Sequence, residues 1–164
     1  MTHTTVATVP DGFELMQEGM GFSDNLQPWY RRLQGDELHF GLVVQEQHCN
    51  LMGICHGGML MTMADVAAAA NLNLARDGKG GSPTINLSVD FISAGRLGDW
   101  IQSQIQLVSP KRRFGFCQGL IVGSEGPVVR FSGSFYFPDH KGMWKNKPSD
   151  EGGALAGLTT GRKS

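Results

Sequence analysis

Cysteine is scarce in this chain. Cys49, Cys55 and Cys117 are three in 164 residues, an odd number without CxxC spacing, which suggests neither a disulfide framework nor a zinc site. Reduced thiols, no metal and no cofactor are the expectation. Excess charge of either sign is also lacking: 14 Lys and Arg against 15 Asp and Glu leave a formal net charge of -1. That balance offers no electrostatic footprint for nucleic acid or an anionic membrane. No apolar run approaches the roughly 20 uncharged residues of a bilayer span. Met1 to Pro10 has neither the basic nor the apolar region of a signal peptide. The expectation is a cytoplasmic protein with no nucleic-acid or membrane partner.

What the chain has in abundance is glycine, 23 residues, about twice the average share. Many of these glycines fall between apolar stretches, which favours a turn-rich β structure. The length suits one domain with a real core. Residues 1–26 are expected to form an N-terminal extension, with a short helix from Asp11 through Phe13, Leu15, Met16 and Met20. Residues 27–138 form the domain proper, and 139–164, polar and without apolar periodicity, a mobile tail.

Within the domain, Glu37 to Glu46 alternates, with Leu38, Phe40, Leu42 and Val44 on one face, as a half-buried strand does. Gly57 to about Ala75 has good helix formers throughout and no Gly or Pro after Gly58, which predicts one long helix. Its apolar residues run all the way round, as in a helix enclosed by its own domain or a partner. Four strands are expected after the loop Asp77 to Gly81: Thr84 to Ile92, Asp99 to Val108, Phe114 to Val122 and Val128 to Phe137. The last two are joined by the turn cluster Gly123 to Pro127. Strands that follow one another so closely pair antiparallel. The predicted class is therefore α+β, a single helix wrapped by an antiparallel sheet.

Chemistry concentrates in Gly53-Ile54-Cys55-His56-Gly57-Gly58 and the helix it opens. A helix N-terminus presents unsatisfied N–H groups, so Gly57 and Gly58 either let a substrate oxygen approach the backbone or simply make a tight turn. Asp65 lies mid-helix among apolar residues, where an unpaired carboxylate is costly. It is either satisfied structurally or serves as a base or nucleophile. Asp65 lies nine positions after His56, about half a turn out of phase and ~13 Å along a helix axis. If His56, Gly57 and Asp65 share a site, the carboxylate must come from a second subunit, which predicts an obligate dimer. Cys55 beside His56 is either a thiolate nucleophile or a small apolar residue. Lys111-Arg112-Arg113 is either a solvated loop or a phosphate contact. Met59, Met61 and Met63 suit the core better than an acyl pocket.

The motif running from Asn50 through Gly53, His56, Gly57 and Gly58 to Asp65, followed by the strand Thr84 to Phe91, resembles the hotdog-fold acyl-CoA thioesterases of the 4HBT superfamily. It is most similar to the branch containing the phenylacetic-acid-degradation thioesterases. The resemblance spans about Gln27 to Phe137. It implies a five- or six-stranded antiparallel sheet around one long central helix, homodimers with shared active sites, often dimers of dimers, and hydrolysis of an acyl-CoA. By the same resemblance Asp65 is the general base or nucleophile, and the Gly57 N–H of the other subunit polarises the thioester carbonyl. His56 orders the loop and the leaving sulfur, Asn50 contacts the water or carbonyl, and Thr84 stands where relatives orient water with Ser. Gly58, Lys111, Arg112 and Arg113 are substrate-binding candidates. Two alternatives remain open: a non-catalytic acyl-CoA-binding hotdog protein, and a hotdog hydratase or dehydratase, whose Asp and His are spaced differently.

Overall fold

The computed structural model describes residues 6–77, 81–139 and 158. Among them, seven strands form one antiparallel sheet: β1 (Glu14–Leu15), β2 (Tyr30–Gln34), β3 (Glu37–Val43), β4 (Thr84–Phe91), β5 (Trp100–Pro110), β6 (Phe114–Gly123) and β7 (Gly126–Tyr136). Their spatial order is β1-β2-β3-β5-β6-β7-β4, and the long helix α1 (Gly57–Ala75) packs on one face against β3 to β7. This is the α+β hotdog arrangement expected, with a sheet wider than five or six strands. The additional strands are β2, which makes a hairpin with the expected β3, and its flank β1. The predicted β6–β7 hairpin is present, with Gly123 paired to Gly126 across a two-residue turn.

The short helix expected over Phe13 to Met20 is not formed. Glu14 and Leu15 pair with Arg31 and Tyr30 as a strand, because Gly12 and Gly19 adopt positive φ (84° and 127°) that no α-helix continues through. The Asp24 carboxylate then accepts from the N–H groups of Gly19 and Met20, and a 3-10 turn follows over Gly21–Leu26. Strand β3 also departs from expectation. It is buried on both faces rather than one, since Trp100 lies over Gly41, where an added Cβ would stand 2.2 Å from the indole. Phe13 and Tyr30 pack edge-on against the same indole.

Helix α1 buries Met59, Leu60, Met63, Leu72 and Leu74 together with Ala64, Ala67, Ala68 and Ala70. Each large side chain removed from water contributes about 1.5–3 kcal/mol, and the alanines let the helix lie close to the sheet. Close approach is also built into β6. An added Cβ at Gly115 would stand 2.4 Å from Phe137 and 2.7 Å from Leu72, so glycine there fits the strand under the helix. Asn71, buried in α1, ties helix to sheet by accepting from the Leu38 N–H and donating to the Leu38 carbonyl. Of the tail expected from residue 139, only Asp139 and Leu158 lie within the described residues, and Leu158 packs against the core. No helix among the described residues is long and apolar enough to cross a membrane.

Candidate active site

The chain reaches α1 through a small loop built on His48. This buried imidazole accepts from the Gln45 N–H through Nδ1 and donates from Nε2 to the Leu26 carbonyl, and burial pushes its pKa below 6.5. The His48 carbonyl in turn accepts the His56 N–H at 2.8 Å, and the Ile54 carbonyl accepts the Asn50 N–H at 2.9 Å. The loop tip closes on Asn50, whose Oδ1 accepts from the N–H groups of Met52 and Ile54. Gly53 adopts φ 73° there, a conformation that side chains disfavour. With Oδ1 engaged, the Asn50 amide nitrogen has no acceptor among the described residues and is free to donate. Leu51 and Met52 stand exposed on the tip.

His56 is the N-cap of α1, and its Nδ1 accepts the Gly58 N–H at 2.8 Å. A neutral ring accepting at Nδ1 carries its proton on Nε2, so that N–H faces outward. The two glycines, alike in sequence, therefore differ. Gly58 is engaged by the His56 ring, whereas the Gly57 N–H has no acceptor among the described residues and lies at the positive end of the helix dipole. Gly57 is also tightly seated, since an added Cβ would stand 3.2 Å from the Phe91 ring.

Asp65 is neither fully buried nor unpaired. Its Oδ1 accepts the Thr84 hydroxyl at 2.6 Å, while Oδ2 has no partner among the described residues. It lies on a stripe of α1, with Gly58, Thr62, Ala69 and Asn73, that the sheet leaves uncovered or half-covered, and Met61 beside it is 39% exposed. The stripe is open because β4, which flanks it, is the sheet's edge strand. The sequence hides this, since Met61, Val66 and Ala69 on or beside the open side are as apolar as the buried positions. Thr84 is aimed by a bulge. Thr84 pairs with Phe135 and Asn86 with Ser134, so Ile85 is an extra residue that breaks the alternation expected along β4. Bulges re-aim side chains in this way.

The basic cluster forms the tip of the β5–β6 hairpin, where the Lys111 N–H donates to the Phe114 carbonyl. Arg113 donates to the Tyr136 hydroxyl at 2.7 Å and pairs with Asp139 at 3.7 Å. Lys111 and Arg112 have exposed side chains with no partner among the described residues. The register Pro110 to Gly115 to Phe135 to Thr84 places this tip at the Thr84 end of the sheet. Gly115 is two strands from Thr84, about 10 Å.

The sequence pattern of the Thioesterase superfamily matches residues 52–129, from the loop tip into β7. An inferred esterase of Pseudomonas aeruginosa is 30% identical over 131 residues, covering 79% of this chain and 98% of that protein. The chain belongs to the thioesterase superfamily. Solved structures agree in fold. A mutant of the phenylacetic acid degradation protein PaaI from Thermus thermophilus superposes with TM-score 0.60 at 23% identity, covering 71% of this chain and 98% of that one. A hypothetical thioesterase from Streptococcus pneumoniae TIGR4, solved with coenzyme A, gives TM-score 0.62 at 18% identity, covering 76% and 94%. Zebra fish thioesterase superfamily member 2 gives 0.63 at 18% identity, covering 72% and 87%. Superfamily membership and the esterase relative support hydrolase activity for this thioesterase-superfamily chain.

Two features of this thioesterase-fold site change the sequence reading. Cys55 is buried against the core, and burial pushes its thiol up to about 12. A thiol so rarely ionised is too slow a nucleophile to carry turnover at neutral pH, which leaves Cys55 the small apolar role in the reaction. Sequence reasoning does not single out His48, yet it holds the loop that carries Asn50 and His56. Its position two residues before Asn50 carries no chemical signature; only the burial and both ring hydrogen bonds reveal it.

Proposed function

We propose that the protein is a cytoplasmic acyl-CoA thioesterase, cleaving a small or medium acyl-CoA, aromatic acyl groups included, to free acid and CoA. The observation that carries this reading is Asp65. It is fixed through one carboxylate oxygen by Thr84 and leaves the other free on the open stripe of an otherwise buried helix. In the proposed reaction Asp65 takes a proton from water as general base, or attacks the carbonyl itself as nucleophile. The Gly57 N–H, with the helix dipole behind it, stabilises the oxyanion that develops. The Asn50 amide steadies the water or carbonyl, and CoA leaves as a thiolate near the outward N–H of His56.

One protomer cannot assemble this set, because Gly57 and Asp65 are eight residues apart on one helix, about 12 Å. The edge strand supplies the geometry that supports a dimer. Among the described residues β4 has one unpaired side, and Ile85 and Phe91 on it and Ile92 just after it are exposed by 57, 54 and 55%, the kind of apolar edge that a partner covers. Antiparallel pairing of β4 with its two-fold copy brings the Phe91 end, beside Gly57, toward the Thr84 end of the partner, beside Asp65. The two half-sites would then meet twice per dimer.

The deciding experiment measures free thiol release from a panel of acyl-CoAs with wild type and Asp65→Ala. Loss of at least about a hundredfold in kcat, with the fold retained, is expected for a general base. Unchanged turnover in the variant would sink the mechanism, and no turnover on any acyl-CoA would favour a binding protein. Mixing Asp65→Ala with Gly57→Val subunits should restore part of the activity. Failure to do so after proven subunit exchange counts against shared sites.

A further inference from the structure

The loop that carries Asn50 and His56 also holds two cysteines directly opposite each other. Cys49 and Cys55 are partners in an isolated antiparallel bridge. The bonds that flank them run from the His56 N–H to the His48 carbonyl and from the Asn50 N–H to the Ile54 carbonyl, one step outside and one step inside the pair. The cysteines' own N–H groups go elsewhere, to Glu46 and Gly95. This is the pattern of a non-hydrogen-bonded pair, whose Cα atoms stand about 4.5 Å apart with side chains on one face. Disulfides form at Cα separations of about 4.4–6.8 Å. Both thiols are free, and neither has a part in the proposed chemistry.

We propose that Cys49 and Cys55 form a reversible disulfide, a redox-sensitive clasp on the active-site loop. Cys49 is half-buried and Cys55 buried, so a two-electron oxidant such as hydrogen peroxide meets Cys49 first. The Cys49 sulfur attacks a peroxide oxygen; the S–O bond forms, the O–O bond breaks, and one water leaves behind a sulfenic acid. The Cys55 sulfur then attacks the Cys49 sulfur, and the displaced hydroxide departs with the Cys55 proton as a second water. Two thiols and one peroxide thus become one disulfide and two waters. A reductant dithiol reverses the step by exchange. Burial pushes both thiols up, Cys55 to about 12, so the clasp stays open at neutral pH until oxidant is sustained. When it closes, the sulfurs come within about 2.05 Å, and the two limbs, already within disulfide range, are locked to each other with both side chains turned inward. The constraint falls on Asn50 and His56, each one residue away. Its effect on turnover rests on the thioesterase reading above.

The test treats the full-length native protein with hydrogen peroxide, blocks remaining thiols under denaturing conditions and maps peptides without reduction. The expected product links Cys49 to Cys55, two hydrogens lighter than the separate peptides, with Cys117 recovered as a blocked thiol. The link should vanish on adding dithiothreitol and be absent from Cys49→Ser. Acyl-CoA turnover should fall with it by at least about tenfold, on the scale of a sub-ångström misplacement at a reacting centre, and return with dithiothreitol, while Cys49→Ser keeps its turnover. Oxidation that stops at a sulfinic or sulfonic acid on Cys49, or a disulfide that recruits Cys117, overturns the pairing. A Cys49–Cys55 disulfide with undiminished turnover overturns the clasp. The mass map needs no substrate, so it decides the disulfide independently of any failure of the thioesterase reading.

Discussion

Thr84 donates its hydroxyl proton to Asp65 Oδ1 at 2.6 Å, joining the sheet's edge to the middle of the helix. Because the bulge at Ile85 aims it, the Thr84 side chain is the only described group that holds the carboxylate in one orientation. Thr84→Val keeps the shape and removes the donor. A hydrogen bond to a charged group is worth about 1.5–3 kcal/mol, so kcat should fall roughly 10- to 100-fold with KM little changed. Thr84→Ser keeps the hydroxyl and should stay within a few-fold of wild type by steady-state kinetics. Equal losses in the two variants would mean that the methyl, not the hydrogen bond, matters.

His48 makes the fold sensitive to acid. Burial lowers its pKa, and a proton on Nδ1 would remove the acceptor that the Gln45 N–H uses. The unfolded chain therefore binds this proton more readily than the folded one. Its contribution is present above about pH 6.5 and is lost as pH falls through the lower folded value. Melting temperature should decline from pH 7.5 to 5. His48→Gln should melt lower at pH 7.5 but lose less over that range. Parallel slopes for the two proteins would assign the acid sensitivity to other groups.

Much of this molecule is legible in its residues, and the exceptions have physical causes. The helix Gly57–Ala75 matches expectation at both ends because its composition and the opening glycine pair are local signals. Strands β5 to β7 are legible because alternation and turn chemistry agree. The N-terminal helix is not formed because the apolar spacing of Phe13 to Met20 is overridden by the backbone demands of Gly12 and Gly19. Hairpin β2–β3 is half visible, since Arg31 and Arg32 mask the strand period of Tyr30–Gln34. At the site, Asp65, His56 and Gly57 stand out as residue types, but the inequality of the two glycines does not. That Gly58 is engaged and Gly57 free depends on which way one imidazole turns, a tertiary fact with no trace in spacing.

Asn71 tests how the helix is held over the sheet. It is 2% exposed and satisfies both the N–H and the carbonyl of Leu38, where β3 has left its ladder with β5. Asn71→Leu keeps the branched outline and heavy-atom count and strands both backbone groups in the core. At about 1–3 kcal/mol for each group, the loss should approach about 3 kcal/mol, or close to 10 °C in Tm for a domain of this size. Differential scanning calorimetry measures it directly. A change under about 2 °C would show that water or a small shift satisfies Leu38 instead.

The three basic residues at the β5–β6 tip should not be equivalent toward coenzyme A. Arg113 already donates to Tyr136 and pairs with Asp139, so it holds the start of β6 to the end of β7. Lys111 and Arg112 extend into solvent at the Thr84 end of the sheet, free to meet phosphates. Replacing either by Ala should raise KM for acyl-CoA by roughly 3- to 10-fold with kcat retained, the loss of a solvent-exposed charge contact worth about 1 kcal/mol. The same variants should hydrolyse an acyl-pantetheine thioester, which lacks the nucleotide phosphates, as wild type does. Rising salt should narrow the difference on acyl-CoA, since exposed pairs are screened within about 8–10 Å. Arg113→Ala should instead lower Tm and affect both substrates alike. A KM increase of the same size on the pantetheine substrate would remove Lys111 and Arg112 from phosphate recognition and leave the hairpin tip as a solvated turn.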